Sequence, residues 1–212
     1  NYTLHGFTEQ TKEGVSPTNH AFHETLEITH GFNDWFEVGF YHFMNRNAGQ
    51  NPAYVGNHIR PRIRVPDSYH LPVGLSLSAE LGYQRPEYAG DQWSLEVRPI
   101  IDKIVGRWDV SVNPVVGVSL QGPSGSQSPA FSPNVKVSFE ACKFFNTGLE
   151  YYNTMGTFQG FNALDQQPHQ LVWAFDFHFS PKWELNVGYV HGLNSTVERD
   201  IIKCYIGRRF GL

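Results

Sequence analysis

Along most of this chain, apolar and polar residues change places one by one. From Val73 to Leu120 the alternation is almost unbroken. Val73, Leu75, Leu77, Ala79, Leu81 and Tyr83 share one parity, against Gly74, Ser76, Ser78, Glu80, Gly82 and Gln84. Trp93, Leu95, Val97, Pro99 and Ile101 then alternate with Ser94, Glu96, Arg98 and Ile100. After a short turn, Trp108, Val110, Val112, Pro114, Val116, Val118 and Leu120 oppose Arg107, Asp109, Ser111, Asn113, Val115, Gly117 and Ser119. Strand side chains point to opposite faces with period two, so each run predicts a strand with one apolar and one mostly polar face. Each run has roughly the 9–11 residues a tilted strand needs to cross a bilayer's hydrocarbon layer. The pattern predicts a membrane β-meander.

The same period recurs on both sides of this stretch. Tyr2 to Glu9 reads as a first strand of unclear parity. His23, Thr25, Glu27 and Thr29 oppose Phe22, Leu26 and Ile28, and Phe36, Val38 and Phe40 oppose Glu37, Gly39 and Tyr41. Ile59, Pro61, Ile63 and Val65 alternate with Arg60, Arg62 and Arg64, with a bulge expected at Pro61 because proline cannot donate to a ladder. Pro133 to Cys142, Thr147 to Met155, Gln170 to Phe179, Glu184 to Tyr189 and Arg199 to Leu212 complete about twelve strands. The predicted connections alternate in length. Residues 10–19, 47–57, 121–132, 156–168 and 192–198 read as long polar loops. Residues 31–34, 67–70, 143–146 and 180–182 read as short turns.

An even strand count with short turns at one end and long loops at the other is the pattern of bacterial outer-membrane barrels. The expected fold is therefore all-β: one transmembrane antiparallel up-and-down barrel over residues 1–212, with both termini periplasmic, in the outer membrane of a Gram-negative bacterium. Closure is a physical requirement, because an open edge would leave backbone groups unpaired in lipid. The rings sort accordingly. Trp35, Trp108, Phe144, Phe145, Trp183 and Phe210 lie near short turns, and Tyr83, Trp93, Phe131, Tyr151 and Tyr189 near long loops. Two belts of amphipathic rings are what a bilayer's two interfaces select.

Composition narrows the picture. Aromatics make up 15% of the chain and charged residues 17%, and the mean hydropathy is −0.38. A barrel reconciles these values, since only every second residue of a strand faces lipid. No stretch has the roughly 18 consecutive apolar residues of a membrane helix. A net charge of −4 gives no electrostatic case for nucleic acid. Cys142 and Cys204 fall on opposite faces of non-neighbouring strands and are expected as free thiols. Asn1 reads as a trimmed start whose secretion signal has been removed.

Several segments together resemble the outer-membrane barrels grouped as putative transporters of the phenol-degradation MetA type. They are Glu96-Val97-Arg98-Pro99-Ile100-Ile101, Asn113-Pro114, Gly148-Leu149-Glu150-Tyr151-Tyr152 with Gly156, His169, and Asn186-Val187-Gly188-Tyr189. The resemblance spans most of the chain from Glu24 onward and implies a porin-like or transporter-like role. It carries no substrate onto particular residues.

The polar parity is the predicted lumen, and it is charged. Arg60, Arg62, Arg64, Glu80, Glu96, Arg98, Asp109, Lys136, Glu140 and Glu150 are the candidate lumen and selectivity residues, with Glu37, Asp176, Glu184 and Lys203 on the same parity. Acidic and basic residues fall on adjacent strands, where cross-strand pairs form. Such a lattice reads either as a polarised eyelet that selects solutes by charge or as a plug of ion pairs. The arginine triplet offers bidentate anion recognition, set against a structural role neutralising lumen carboxylates.

Ten histidines show no ligand spacing such as H-E-x-x-H, so no metal and no cofactor is expected. No His-x-Ser occurs, nor the Asp-Asp and Asp-His pairs of barrel proteases, so the chain is not expected to be an enzyme. Function then reads as a channel or transporter for small polar or aromatic solutes. The alternatives are a plugged scaffolding barrel docking a protein through its loops or periplasmic turns and, further off, a rim-sited lipid hydrolase. Partners expected are membrane lipids and small solutes.

Overall fold

A computed structural model of the chain describes residues 2–9, 21–47 and 51–210, the first of these segments by its backbone alone. The loop expected over residues 10–19 lies outside the described residues. The strands are β1 (Tyr2–Glu9), β2 (Phe22–Gly31), β3 (Phe36–Arg46), β4 (Ala53–Arg64), β5 (Gly74–Gln84), β6 (Trp93–Val105) and β7 (Trp108–Gln121). They continue with β8 (Ala130–Cys142), β9 (Phe145–Asn153), the two-residue β10 (Gly156–Thr157) and β11 (Gly160–Phe161), β12 (His169–Ser180), β13 (Trp183–Gly192) and β14 (Asp200–Arg208). Twelve long strands thus stand where about twelve were expected. Each pairs antiparallel with a neighbour on both sides, and β1 pairs with both β2 and β14, so the ladder returns to its start.

Local chemistry sets the short turns. Asn33 Oδ1 accepts the backbone N–H groups of Trp35 at 3.0 Å and Phe36 at 2.8 Å, closing an Asx turn between β2 and β3. The β6–β7 turn places Gly106 at φ +61°, the left-handed conformation that a two-residue hairpin requires. One connection departs from expectation. The link after β4 is no tight turn but runs over residues 65–73 around a 3-10 turn at Asp67–Tyr69. β4 also begins at Ala53, inside the expected loop. The loop after β9 carries the small β10–β11 hairpin, whose Gly156 and Thr157 pair with Phe131 and Ala130 of β8.

Prolines shape the wall. The register shift in the β3–β4 pair falls between Phe43 and Met44, opposite Val55, and not at Pro61 as expected. Pro61 instead interrupts the β4–β5 ladder between Ile59↔Leu81 and Arg62↔Ser78 without changing its register. Pro99, Pro114 and Pro133 form a row across β6, β7 and β8. Pro114 pairs with Pro133 as a position where neither nitrogen faces the partner strand. Pro99 and Pro114 then face each other at the site of a bonded pair, and the β6–β7 ladder is empty between Val97↔Val116 and Ile101↔Val112.

The two faces settle the inside-out question. Leu26, Phe40, Ile59, Leu77, Leu81, Ile101, Val112, Leu149, Trp173, Ile202 and Ile206 are exposed, while Ser78, Ser138, Glu150 and Asn186 are buried. A water-soluble sandwich would reverse this order. One strip of the inner wall departs from the expected polarity: Val172, Ala174 and Val190 are buried with Ile201 packed on them.

Candidate functional site

The inner face of β2 to β6 gathers the first group of charges. Glu37 on β3 stands in register with Arg62 on β4 and bonds its Nε at 3.0 Å. Arg60 lies between Glu27 at 3.2 Å and Glu37 at 3.9 Å, its guanidinium 5.0 Å from the centre of the Tyr41 ring. The Tyr41 hydroxyl donates to Glu27 at 3.1 Å. Glu80 and Glu96 face each other directly across β5–β6, an arrangement that repels unless each carboxylate has its own cation. Arg98 supplies one at 2.5 Å from Glu96, and the His58 ring hydrogen-bonds Glu80 at 2.5 Å.

The second group lies on β8 to β14. Lys136 stands in register with Glu150 and reaches it at 3.5 Å, while bonding Asp176 at 3.0 Å. Lys203 of β14 reaches back over β13 and β12 to Glu150 at 3.3 Å. Tyr152 donates to Glu150 at 2.8 Å, and Asn186 to Asp176 at 2.6 Å. Glu150 is thus buried with two lysines and a phenol around it, contacts that offset the hydration a buried carboxylate loses. This wall lines a cavity of about 670 Å³ bordered by Lys136, Glu150, Tyr152, Gln170, Lys203 and Tyr205. Tyr152 and Gln170 also border a smaller space of about 220 Å³ beside Glu96 and Val115.

Seven of the ten residues expected to line the lumen, Arg60, Arg62, Glu80, Glu96, Arg98, Lys136 and Glu150, enter these contacts. Arg64 leaves the lattice: it leans to the short-turn rim and pairs with Asp67 of the β4–β5 connection at 3.0 Å. His58, just past the loop expected over residues 47–57, lies within β4 and bonds Glu80. The sequence reading left out Asp102, which follows Arg98 and Ile100 on the same parity of β6. Asp102, Asp109 and Glu140 stand opposite Ser111, Ser138 and Asn146, on adjacent strands toward the short-turn end. No ion pair involves these three carboxylates among the described residues, and no group there could hold a metal ion. Cys142 and Cys204 are free, as expected.

At the opposite end the loops are tied to one another. Asp91 in the β5–β6 loop accepts the backbone N–H of Ser124 in the β7–β8 loop at 2.9 Å. That bond holds the Asp91 carboxyl below its ordinary range. Gln167 takes part in bonds from Asn153, Asn194 and Thr196, fastening the β9–β12 and β13–β14 loops together.

A closed antiparallel barrel with lipid-type residues outside and a charged interior is the architecture of outer-membrane channels. Comparison of the whole structure agrees. The NanC porin superposes with a TM-score of 0.68 at 8% identity, covering 99% of this chain and 100% of that one. The KdgM porin, solved in complex with disordered oligogalacturonate, gives 0.65 at 9% identity over 99% and 98% of the two chains. An outer-membrane channel from Pseudomonas putida F1 gives 0.60 at 12% identity over 99% and 93%. At these identities the likeness is one of fold. No protein-family model matches the chain, and no curated protein matches it in sequence.

Proposed function

We propose that this chain is an outer-membrane channel passing small polar or aromatic solutes by diffusion, with its short-turn end and both termini in the periplasm. The observation that carries the reading is a polar interior whose charges are cross-paired along the walls, with Asp102, Asp109 and Glu140 near the short-turn mouth in no ion pair among the described residues. Paired charges cancel at a distance, whereas unpaired carboxylates in a narrow opening attract counter-ions. Selectivity on this reading favours cations and rests on the acidic mouth more than on the arginine triplet. The whole-length fold match to porins and the short segments resembling MetA-type transporters support the channel reading.

Planar-bilayer recording tests it. Purified protein should give channel events with a reversal potential on the cation side in a salt gradient. The D102N/D109N/E140Q variant should move that potential toward zero at similar conductance. A second reading has its own observation: the Lys136 and Lys203 bonds span part of the lumen, as they would in a plugged barrel that docks a protein. Absence of channel events at every salt concentration would leave that reading in place of ours.

A further inference from the structure

The short-turn end carries opposite charges on its two faces. While carboxylates point into the mouth, cations ring the outside over one arc. Lys103 lies on the outward parity of β6, Arg107 in the β6–β7 turn, Lys143 in the β8–β9 turn, Lys182 in the β12–β13 turn and Arg208 on the outward parity of β14. All five are exposed, and none has a carboxylate partner among the described residues. Three of them lie against aromatic rings of the belt: Arg107 is 4.5 Å from the Phe139 ring centre, Lys143 4.9 Å from Phe144, and Arg208 5.1 Å from Trp183 and 5.3 Å from Phe210. Rings that sit at headgroup level hold their cations at that same level.

The rest of the circumference differs. Between β2 and β5 the turn charges are Asp34, Asp67 and an Arg64 already paired with Asp67. At the long-loop end no lysine occurs among the described residues, and the outward and loop charges there are mixed. Unpaired cations fixed at a bilayer interface lower their energy by meeting anionic headgroups. We infer that the β6–β14 arc of the short-turn rim binds anionic glycerophospholipid from the adjoining leaflet, fixing the barrel's depth and inclination there. The inference rests on the membrane-channel reading, and its partner is a phospholipid with a net negative headgroup rather than the phosphates of a lipopolysaccharide.

Native mass spectrometry of the purified barrel in detergent, titrated with phosphatidylglycerol or phosphatidylcholine of equal chain length, tests it. Interfacial cations each contribute roughly fivefold in anionic-lipid preference at low salt. The wild-type chain should retain phosphatidylglycerol at least about fivefold better than phosphatidylcholine. K143Q/K182Q/R208Q should bring that ratio close to one, while R46Q/R85Q, at the long-loop end, should leave it unchanged. Equal retention of the two lipids, loss of the preference in R46Q/R85Q, or tighter capture of lipid A than of phosphatidylglycerol would overturn the inference. Conductance of K143Q/K182Q/R208Q in planar bilayers reports separately: it should match wild type whichever way the lipid experiment falls, so a failed channel reading stays distinguishable.

Discussion

Arg60 is where the lumen lattice depends most on one side chain, because it stands between two carboxylates and over a ring. Arg60→Gln removes the guanidinium from beside both Glu27 and Glu37, leaving Arg62 on Glu37 and the Tyr41 hydroxyl on Glu27. Part of the penalty is relieved by lumen water, so we expect a loss of about 1–3 kcal/mol, read as a lower urea midpoint in detergent. The pairing of Glu37 with the arginines was legible in the sequence, since parity alone aligns them. The departure of Arg64 was not, because its partner Asp67 belongs to a connection whose length composition does not reveal. The start of β4 was misplaced for a related reason: residues 47–57 read as a polar loop, and only pairing with β3 and β5 shows that β4 already runs there. Asp91 gives a prediction in pH. Its folded-state carboxyl is held low by the Ser124 N–H, so the bond is fully present above the ordinary carboxylate pKa near about 4. It is lost as pH falls through the lower folded value. Hydrogen exchange at Ser124, corrected for intrinsic rate, should stay protected at neutral pH and open below about pH 4. Asp91→Asn should keep a weaker bond that no longer follows pH in this range.

At the scale of elements, the proline row has the clearest consequence. Two facing prolines leave a bonded position of the β6–β7 ladder without donors, in a wall whose outer side meets lipid. Each restored backbone bond contributes about 1 kcal/mol. P99V/P114V supplies both nitrogens and keeps apolar β-branched side chains on the outer face. It should therefore raise the unfolding midpoint, by an amount P99V alone does not reach because one strand would still lack its donor. An unchanged midpoint in the double variant would mean that the gap is satisfied some other way. Most strands were legible at this scale, since unbroken alternation over ten or more residues has no other physical reading. The alternation could not show where a proline breaks the ladder without shifting it. Pro61 was expected to force a bulge, yet the bulge sits at Val55, because a proline at an unpaired position costs only the missing bond. The β10–β11 hairpin was also illegible, being two residues per strand and held by Phe131 rather than by its own pattern.

For the molecule as a whole, the sequence shows the division of inside from outside better than it shows what fills the inside. Charged inward residues announce themselves by parity. The Val172, Ala174 and Val190 strip does not, since apolar residues on both parities of one strand erase the period there. The division itself is testable with two neighbouring substitutions on β7. Val112 is exposed on the outer face, and Asn113 follows it on the inner face, in register with Asn134 of β8. A lysine at either place adds the same charge to the same strand at nearly the same depth. On the outer face the ammonium must be carried into hydrocarbon, which costs about 2–4 kcal/mol near a bilayer's midplane. On the inner face it meets water and lumen carboxylates, and a cost of no more than about 1 kcal/mol is expected. Folding into phospholipid vesicles, followed by urea titration, should therefore separate V112K from N113K by at least about 1 kcal/mol. In a protein buried the other way round the order would reverse, with V112K tolerated at a wet surface and N113K forcing a charge into the core.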